Sequence, residues 1–232
     1  MQRCEVMLLD PLINFFFPCR CLLCDAPAQT LRAPVCNDCW SALEGERFTG
    51  ERQPERLAPL VERDTINEIF FVYRFAEGGT LQRLIHLMKY GGCPTLGVRL
   101  GERVGEAIRS ASIYNNIDML VPVPIHGSRY RERRYNQSER ITRGIADRTK
   151  LPIGHAALRR ALRTRPQAAL NAAARAGNIE GAFAAIADRV KGKRIGLVDD
   201  VITTGATINE CARVLRAGGA ESVCSIAVAA AW

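Results

Sequence analysis

From about residue 68 onward, apolar positions alternate between two spacings along the chain. Ile69-Phe70-Phe71-Val72-Tyr73 is an unbroken β-branched and aromatic run, as expected of a buried strand. Leu81, Leu84, Ile85 and Met88 recur at helical spacing and stop before Gly91-Gly92, which predicts a helix with a glycine end. Leu100, Val104, Ala107, Ile108 and Ala111 mark one side of a second helix over roughly 96–111. Met119-Leu120-Val121 reads as a short buried strand that runs into Pro122-Val123-Pro124. Asn136, with Glu139 three residues later, has the form of a capping box and predicts a helix reaching about Thr149. The Arg-rich stretch 159–181, with Pro166 and Gly177, predicts a loop with a short helix. Arg194–Val198 reads as a strand, Thr207–Ala217 as a helix closed by Gly218-Gly219, and Glu221–Ala230 as a last strand. Strands alternating with helices predict an α/β fold, a parallel sheet covered by helices on both faces.

The first 50 residues break this pattern. They hold Pro18, Pro27 and Pro34, and five of the nine Cys of the chain fall between Cys19 and Cys39. We divide the chain accordingly into a Cys-rich module over 1–50, a linker over 51–67 and the α/β domain over 68–232. Cys21 and Cys24 form one CxxC pair, and Cys36 and Cys39 form another eleven residues further on. Two such knuckles can bring four thiolates to one ion, which predicts a structural zinc site with no open coordination position. Cys19 is close enough in sequence to exchange with Cys21 as a ligand. An odd count of nine Cys argues against a secreted disulfide framework. No secretory leader is recognisable, and no run approaches the roughly 20 apolar residues a membrane helix needs, so a cytoplasmic location is expected.

The most informative segment is Val198-Asp199-Asp200-Val201-Ile202-Thr203-Thr204-Gly205-Ala206-Thr207. An apolar strand leads to two carboxylates, then to a loop of small residues, then to a helix. Thr203, Thr204, Gly205 and Ala206 let the backbone approach a phosphate closely. Thr207 with Glu210 repeats the capping-box pattern, and helix N-termini hold anions. Phosphate repels carboxylates, so Asp199 and Asp200 are expected to face sugar hydroxyls or a cation. A ribose 5-phosphate unit carries both kinds of group. As a structural alternative, the acid pair merely caps the helix and Gly205 makes a turn.

This segment resembles the phosphoribosyl-pyrophosphate (PRPP) motif of type I phosphoribosyltransferases, with Gly196 standing where an aliphatic residue is usual. Val121-Pro122-Val123-Pro124-Ile125-His126, the run Arg129, Arg131, Arg133, Tyr135-Asn136-Gln137, and Thr164, Gln167, Leu170, Arg175, Asn178 and Gly181-Ala182-Phe183 resemble the competence protein F (ComF/GntX) family, as does the CxxC module. Arg134 departs from that family, which more often has Gly there. The resemblance implies a type I phosphoribosyltransferase-like sheet with a small N-terminal zinc-binding module. It also implies that Asp199 and Asp200 contact the ribose hydroxyls and that Thr203, Thr204, Gly205, Ala206 and Thr207 hold the 5-phosphate. Mg²⁺ would accompany PRPP. The acceptor of the transferred ribose 5-phosphate is not legible.

The formal charge of +8 favours an anionic partner. Pro124, His126, Arg131 and Arg133 are candidates for the pyrophosphate, because guanidinium groups suit bidentate phosphate contacts. The same Arg stretch, with Arg159, Arg160, Arg163 and Arg165, suits a single- or double-stranded DNA backbone. That gives a second functional class, a non-catalytic competence factor acting on DNA or a DNA-uptake protein. The lack of interleaved aromatic residues weighs against base stacking.

Overall fold

The computed structural model describes residues 20–28, 34–49, 57–61, 65–160 and 181–231. Cys19, residues 51–56 and 62–64 of the expected linker, and residues 161–180, including Arg163, Thr164, Arg165, Gln167, Leu170, Arg175 and Asn178, lie outside the described residues.

The elements follow the expected order. They are α1 (Asn37–Glu44), α2 (Ala58–Val61), β1 (Glu68–Arg74), α3 (Thr80–Tyr90), α4 (Pro94–Arg109), a 3-10 turn (Ser112–Asn116), β2 (Met119–Pro122), α5 (Gly127–Arg133), α6 (Gln137–Thr149), β3 (Leu158–Arg160), β4 (Phe183–Ala185), α7 (Ala187–Val190), β5 (Arg194–Ile202), α8 (Ala206–Ala217) and β6 (Ser222–Ala230). Four strands form one parallel sheet in the order β1-β6-β5-β2. Strands β3 and β4 form a separate antiparallel pair.

The sheet is covered on both faces because its strands are apolar on both. In β5, Val198 packs into a cluster with Leu100, Val104, Ile141 and Ile145 of α4 and α6. Ile195 and Leu197 pack into a second cluster with Ile208, Cys211 and Leu215 of α8. This two-sided burial is what parallel strands require. The strand β5 runs longer than the pattern predicts. Its ladder with β6 continues through Asp199↔Ala227 and Val201↔Ala229 to Ile202↔Ala230, so the acid pair lies inside the strand.

Helices α4 and α6 pack at backbone contact. Gly97, Gly101 and Gly105 recur every four residues along one face of α4, and Gly144 faces them from α6. A Cβ on Gly101 would come within 2.1 Å of the Ile141 carbonyl oxygen, and one on Gly144 within 2.0 Å of that of Val98. No side chain fits there, so the glycines set how deeply α6 seats against α4.

The Cys-rich segment is continuous with the core on the α3–α4 side. Cys21, Leu23, Val35, Trp40 and Leu43 share a buried cluster with Tyr73, Leu84 and Leu100. The Arg103 guanidinium stacks 4.2 Å from the Trp40 ring centroid. Within 57–67, Leu57, Leu60 and Ile66 are buried against the α8 face. Among the described residues no helix is long and apolar enough to cross a membrane.

Candidate functional site

Strand β5 delivers Asp199 and Asp200 to the carboxyl edge of the sheet, where open parallel sheets bind ligands. A cleft of about 590 Å³ opens there, and Asp199, Asp200, Thr203, Thr207, Pro124 and His126 line it. The residues proposed from sequence for the ribose, the phosphate and part of the pyrophosphate therefore converge on one cavity. Thr204, Gly205 and Ala206 form the turn beneath it.

The two acids differ in environment. Asp200 is 5% exposed. Its Oδ1 accepts the Val201 backbone N–H at 2.7 Å, and its Oδ2 lies 2.6 Å from the Lys89 ammonium. Asp199 is half-buried; its Oδ1 accepts from the Ser138 hydroxyl at 2.9 Å and from the Asp200 N–H at 2.9 Å. Burial and the neighbouring Asp200 charge push the Asp199 carboxyl up, to about 7. The pair thus presents one acid already facing a cation and another poised between its neutral and charged forms.

The turn after β5 is built differently from the capping box expected at Thr207. The N-cap of α8 is Gly205, held in the left-handed region at φ 70°, and the helix starts at Ala206. Glu210 does not cap it. Its carboxylate instead accepts the Gly181 N–H at 2.8 Å and pairs with Arg213 at 2.8 Å. Glycine is needed at 205 for a second reason: a Cβ there would meet Leu60 Cδ1 at 2.2 Å. The free N–H groups of the first turn of α8 remain available to an anion.

Opposite the acids, the loop after β2 carries Pro124 and His126 into the cleft, and the N-terminus of α6 closes one wall. Asn136 caps α6 as expected, its Oδ1 accepting the Ser138 N–H at 3.0 Å. Its Nδ2 donates to the Val123 carbonyl at 3.0 Å, tying α6 to the β2 loop. Arg134 ends α5 at φ 65°, the conformation that glycine adopts without cost.

The predicted arginines divide. Arg129 and Arg160 line the cleft, whereas Arg131 and Arg133 do not. Arg133 is buried, with its guanidinium 5.1 Å from the Tyr90 ring centroid and its Nη2 donating to the Tyr90 hydroxyl at 3.3 Å. The residues given no site role from sequence include Lys89 and Gln137, which line the cleft, and Ser138, which bonds Asp199 from behind it. Lys89 is the last-turn cation of α3, which the glycine stop at 91–92 brings to the domain's ligand edge. Gln137 and Ser138 follow the N-cap, and that position was the available signal.

The four thiols of Cys21, Cys24, Cys36 and Cys39 gather with all sulfurs within 4.8 Å of one another. Cys21 Sγ lies 3.7 Å from Cys39 Sγ, and Cys24 Sγ lies 3.6 Å from Cys36 Sγ. Four sulfurs at about 2.3 Å from a tetrahedral zinc would be about 3.8 Å apart, so the spacing fits. The N–H groups of Leu23 and Cys36 point at Cys21 Sγ at 3.4 and 3.3 Å, as suits a thiolate. The cluster is able to hold a metal ion, and it lies at the other end of α3 from Lys89.

The profile of the phosphoribosyl transferase domain family matches residues 113–231 of this chain. The chain is 25% identical over 220 residues to competence protein F of Haemophilus influenzae, across 90% of this chain and 95% of that protein. It is 29% identical over 167 residues to DNA utilization protein YhgH of Escherichia coli strain K12, across 72% of this chain and 64% of that one. It thus spans slightly less than two thirds of the YhgH length. Among solved structures, glutamine phosphoribosylpyrophosphate amidotransferase from B. subtilis, complexed with ADP and GMP, is similar at 22% identity and a TM-score of 0.40, over 57% of this chain and 26% of that one.

Proposed function

This chain belongs to the phosphoribosyl transferase domain family and, within it, to the competence protein F group, and from that premise we propose that its cleft binds PRPP and transfers ribose 5-phosphate to an acceptor. The observation that carries the reading is the convergence of Asp199, Asp200, Thr203, Thr207 and the Pro124–His126 loop on one cavity. The turn at Gly205 and the first turn of α8 take the 5-phosphate through backbone N–H groups. Asp199 faces the ribose hydroxyls, and Asp200 faces positive charge. His126 and Arg129 face the pyrophosphate from the opposite wall.

During transfer the C1–O bond to pyrophosphate breaks, and its electron pair leaves with the pyrophosphate. The acceptor forms its bond at C1 through a ring that carries positive character, as in glycoside hydrolysis. Asp199 holds the hydroxyl side of that ring, and its carboxylate favours the developing positive charge. Asp200 keeps the Lys89 ammonium at 2.6 Å as its counter-charge, and Mg²⁺ arriving with PRPP would neutralise the leaving group. The Cys4 cluster is read as a structural zinc site, since its four thiols leave no open ligand position. Mixing the protein with PRPP, Mg²⁺ and a panel of nucleobases and amines tests the transfer. Pyrophosphate release dependent on one acceptor supports it, and no release with any of them contradicts it.

A second reading is DNA handling, which the names of the relatives suggest. One structural observation favours it. Tyr90 and Tyr130 are 57% and 52% exposed, and both adjoin the Arg stretch: Tyr130 lies within α5, and Tyr90 is bonded to Arg133. The fold brings Tyr90 beside the arginines, whereas Tyr130 already stands between Arg129 and Arg131 in the sequence, so the expected lack of interleaved aromatic residues does not hold there. Single-stranded binding by this face would weaken steeply with salt and fall on Tyr90→Ala or Tyr130→Ala.

A further inference from the structure

Gln137 is the most conspicuous unexplained group in the cleft. It lines the same cavity as the acid pair, is 5% exposed, and its Oε1 is buried without a hydrogen-bond partner. Buried polar atoms without partners are uncommon and costly. Its neighbours in the chain are anchored on both sides. On one side Asn136 is tied to Val123, and on the other Ser138 is tied to Asp199. An acceptor held rigidly at a ligand edge awaits a donor.

The donor's identity follows from counting groups, taking PRPP as the ligand on the reading above. At neutral pH its phosphate and pyrophosphate oxygens accept hydrogen bonds. Only the two ribose hydroxyls donate. On the protein side, Asp200 Oδ1 accepts the Val201 N–H, and its Oδ2, which has no hydrogen bond, faces the Lys89 ammonium at 2.6 Å as an ion pair. Asp199 Oδ1 holds two, from Ser138 and from the Asp200 N–H. Among the described residues, that leaves Asp199 Oδ2 as the carboxylate oxygen of the pair with neither a donor nor a counter-charge assigned. Two hydroxyls therefore meet one uncommitted carboxylate oxygen and one uncommitted amide oxygen.

We infer that Gln137 is a ribose-recognition residue whose Oε1 accepts one sugar hydroxyl while Asp199 accepts the other, Asp200 being committed to Lys89. A phosphate is the wrong partner for this oxygen, because both groups are acceptors. The arrangement also makes the site selective for a sugar with both hydroxyls, since a deoxy sugar leaves Oε1 or Asp199 unpaired on binding.

The test uses the full chain and titrates ribose 5-phosphate and 2-deoxyribose 5-phosphate by calorimetry. Wild type is expected to prefer the ribose form. Gln137→Met fills nearly the same volume without a polar atom. It should bind ribose 5-phosphate about ten-fold more weakly, lose most of its preference over the deoxy sugar, and unfold at a temperature equal to or above wild type. A merely structural glutamine would instead lower the unfolding temperature and leave the preference intact. Gln137→Glu keeps an acceptor oxygen in place and should keep the preference whatever its charge does to absolute affinity, which guards against a Met variant that fails to fold. Unchanged affinity and preference in Gln137→Met overturn the inference alone. No binding of either sugar phosphate by wild type overturns it together with the PRPP reading.

Discussion

Replacing Lys89 by Met removes the cation that faces Asp200 and leaves a carboxylate only 5% exposed with no counter-charge. Breaking a fully buried ion pair by deleting one partner costs about 3–5 kcal/mol. Here the side chains are 23% exposed at Lys89 and 8% at Asp200, so water can reach the lysine end of the pair. We therefore place the loss at about 2–3 kcal/mol, below the fully buried range. The Asp200 Oδ1 bond to the Val201 N–H survives the change and does not enter the difference. Urea unfolding of wild type, Lys89→Met, Asp200→Asn and the double variant measures the coupling directly. The double variant should lie closer to wild type than the sum of the single losses, because no uncompensated charge remains. Additive losses, or a Lys89→Met variant within about 0.5 kcal/mol of wild type, would refute the view that Lys89 is the resident cation of the acid pair.

Three other outcomes follow from the same fold. The folded chain binds a proton at Asp199 up to about pH 7, against about 4 in the unfolded chain. The raised value makes this group's contribution to stability full below about pH 4 and lost as pH rises through about 7, so unfolding free energy measured over that range should flatten in Asp199→Asn. Metal analysis of the purified protein should find one zinc per chain, with Cys24→Ser losing it together with heat stability, and a metal-free protein with four reduced thiols would contradict the assignment. Arg134→Gly should raise stability by up to about 1 kcal/mol in chemical denaturation, since glycine relieves the left-handed strain at φ 65°.

Much of this was legible in the sequence because each signal was local. The CxxC spacing brought four sulfurs together, and the apolar runs marked every strand of the parallel sheet. Asn136 capped α6 where its side-chain chemistry required. What escaped depended on contacts between distant segments. Lys89 looked like an ordinary last-turn cation until α3 was placed over β5, about 110 residues later in the chain. Thr207 and Glu210 had the spacing of a capping box, yet Gly181 and Arg213 compete for the Glu210 carboxylate and Gly205 takes the cap. Arg133 sat among solvent-facing arginines in the sequence but is drawn inward onto Tyr90. The glycines at 97, 101 and 105 acquire a purpose only from the seated α6.

The central claim is that Asp199 and the turn at Gly205 form a PRPP site, and calorimetric titration with PRPP and Mg²⁺ tests it most directly. Wild type should bind, and Asp199→Asn should bind on the order of ten- to a hundred-fold more weakly, the equivalent of one lost charge-assisted hydrogen bond of about 1.5–3 kcal/mol. The absence of any heat with wild type at millimolar ligand, or equal affinity in Asp199→Asn, would contradict the account.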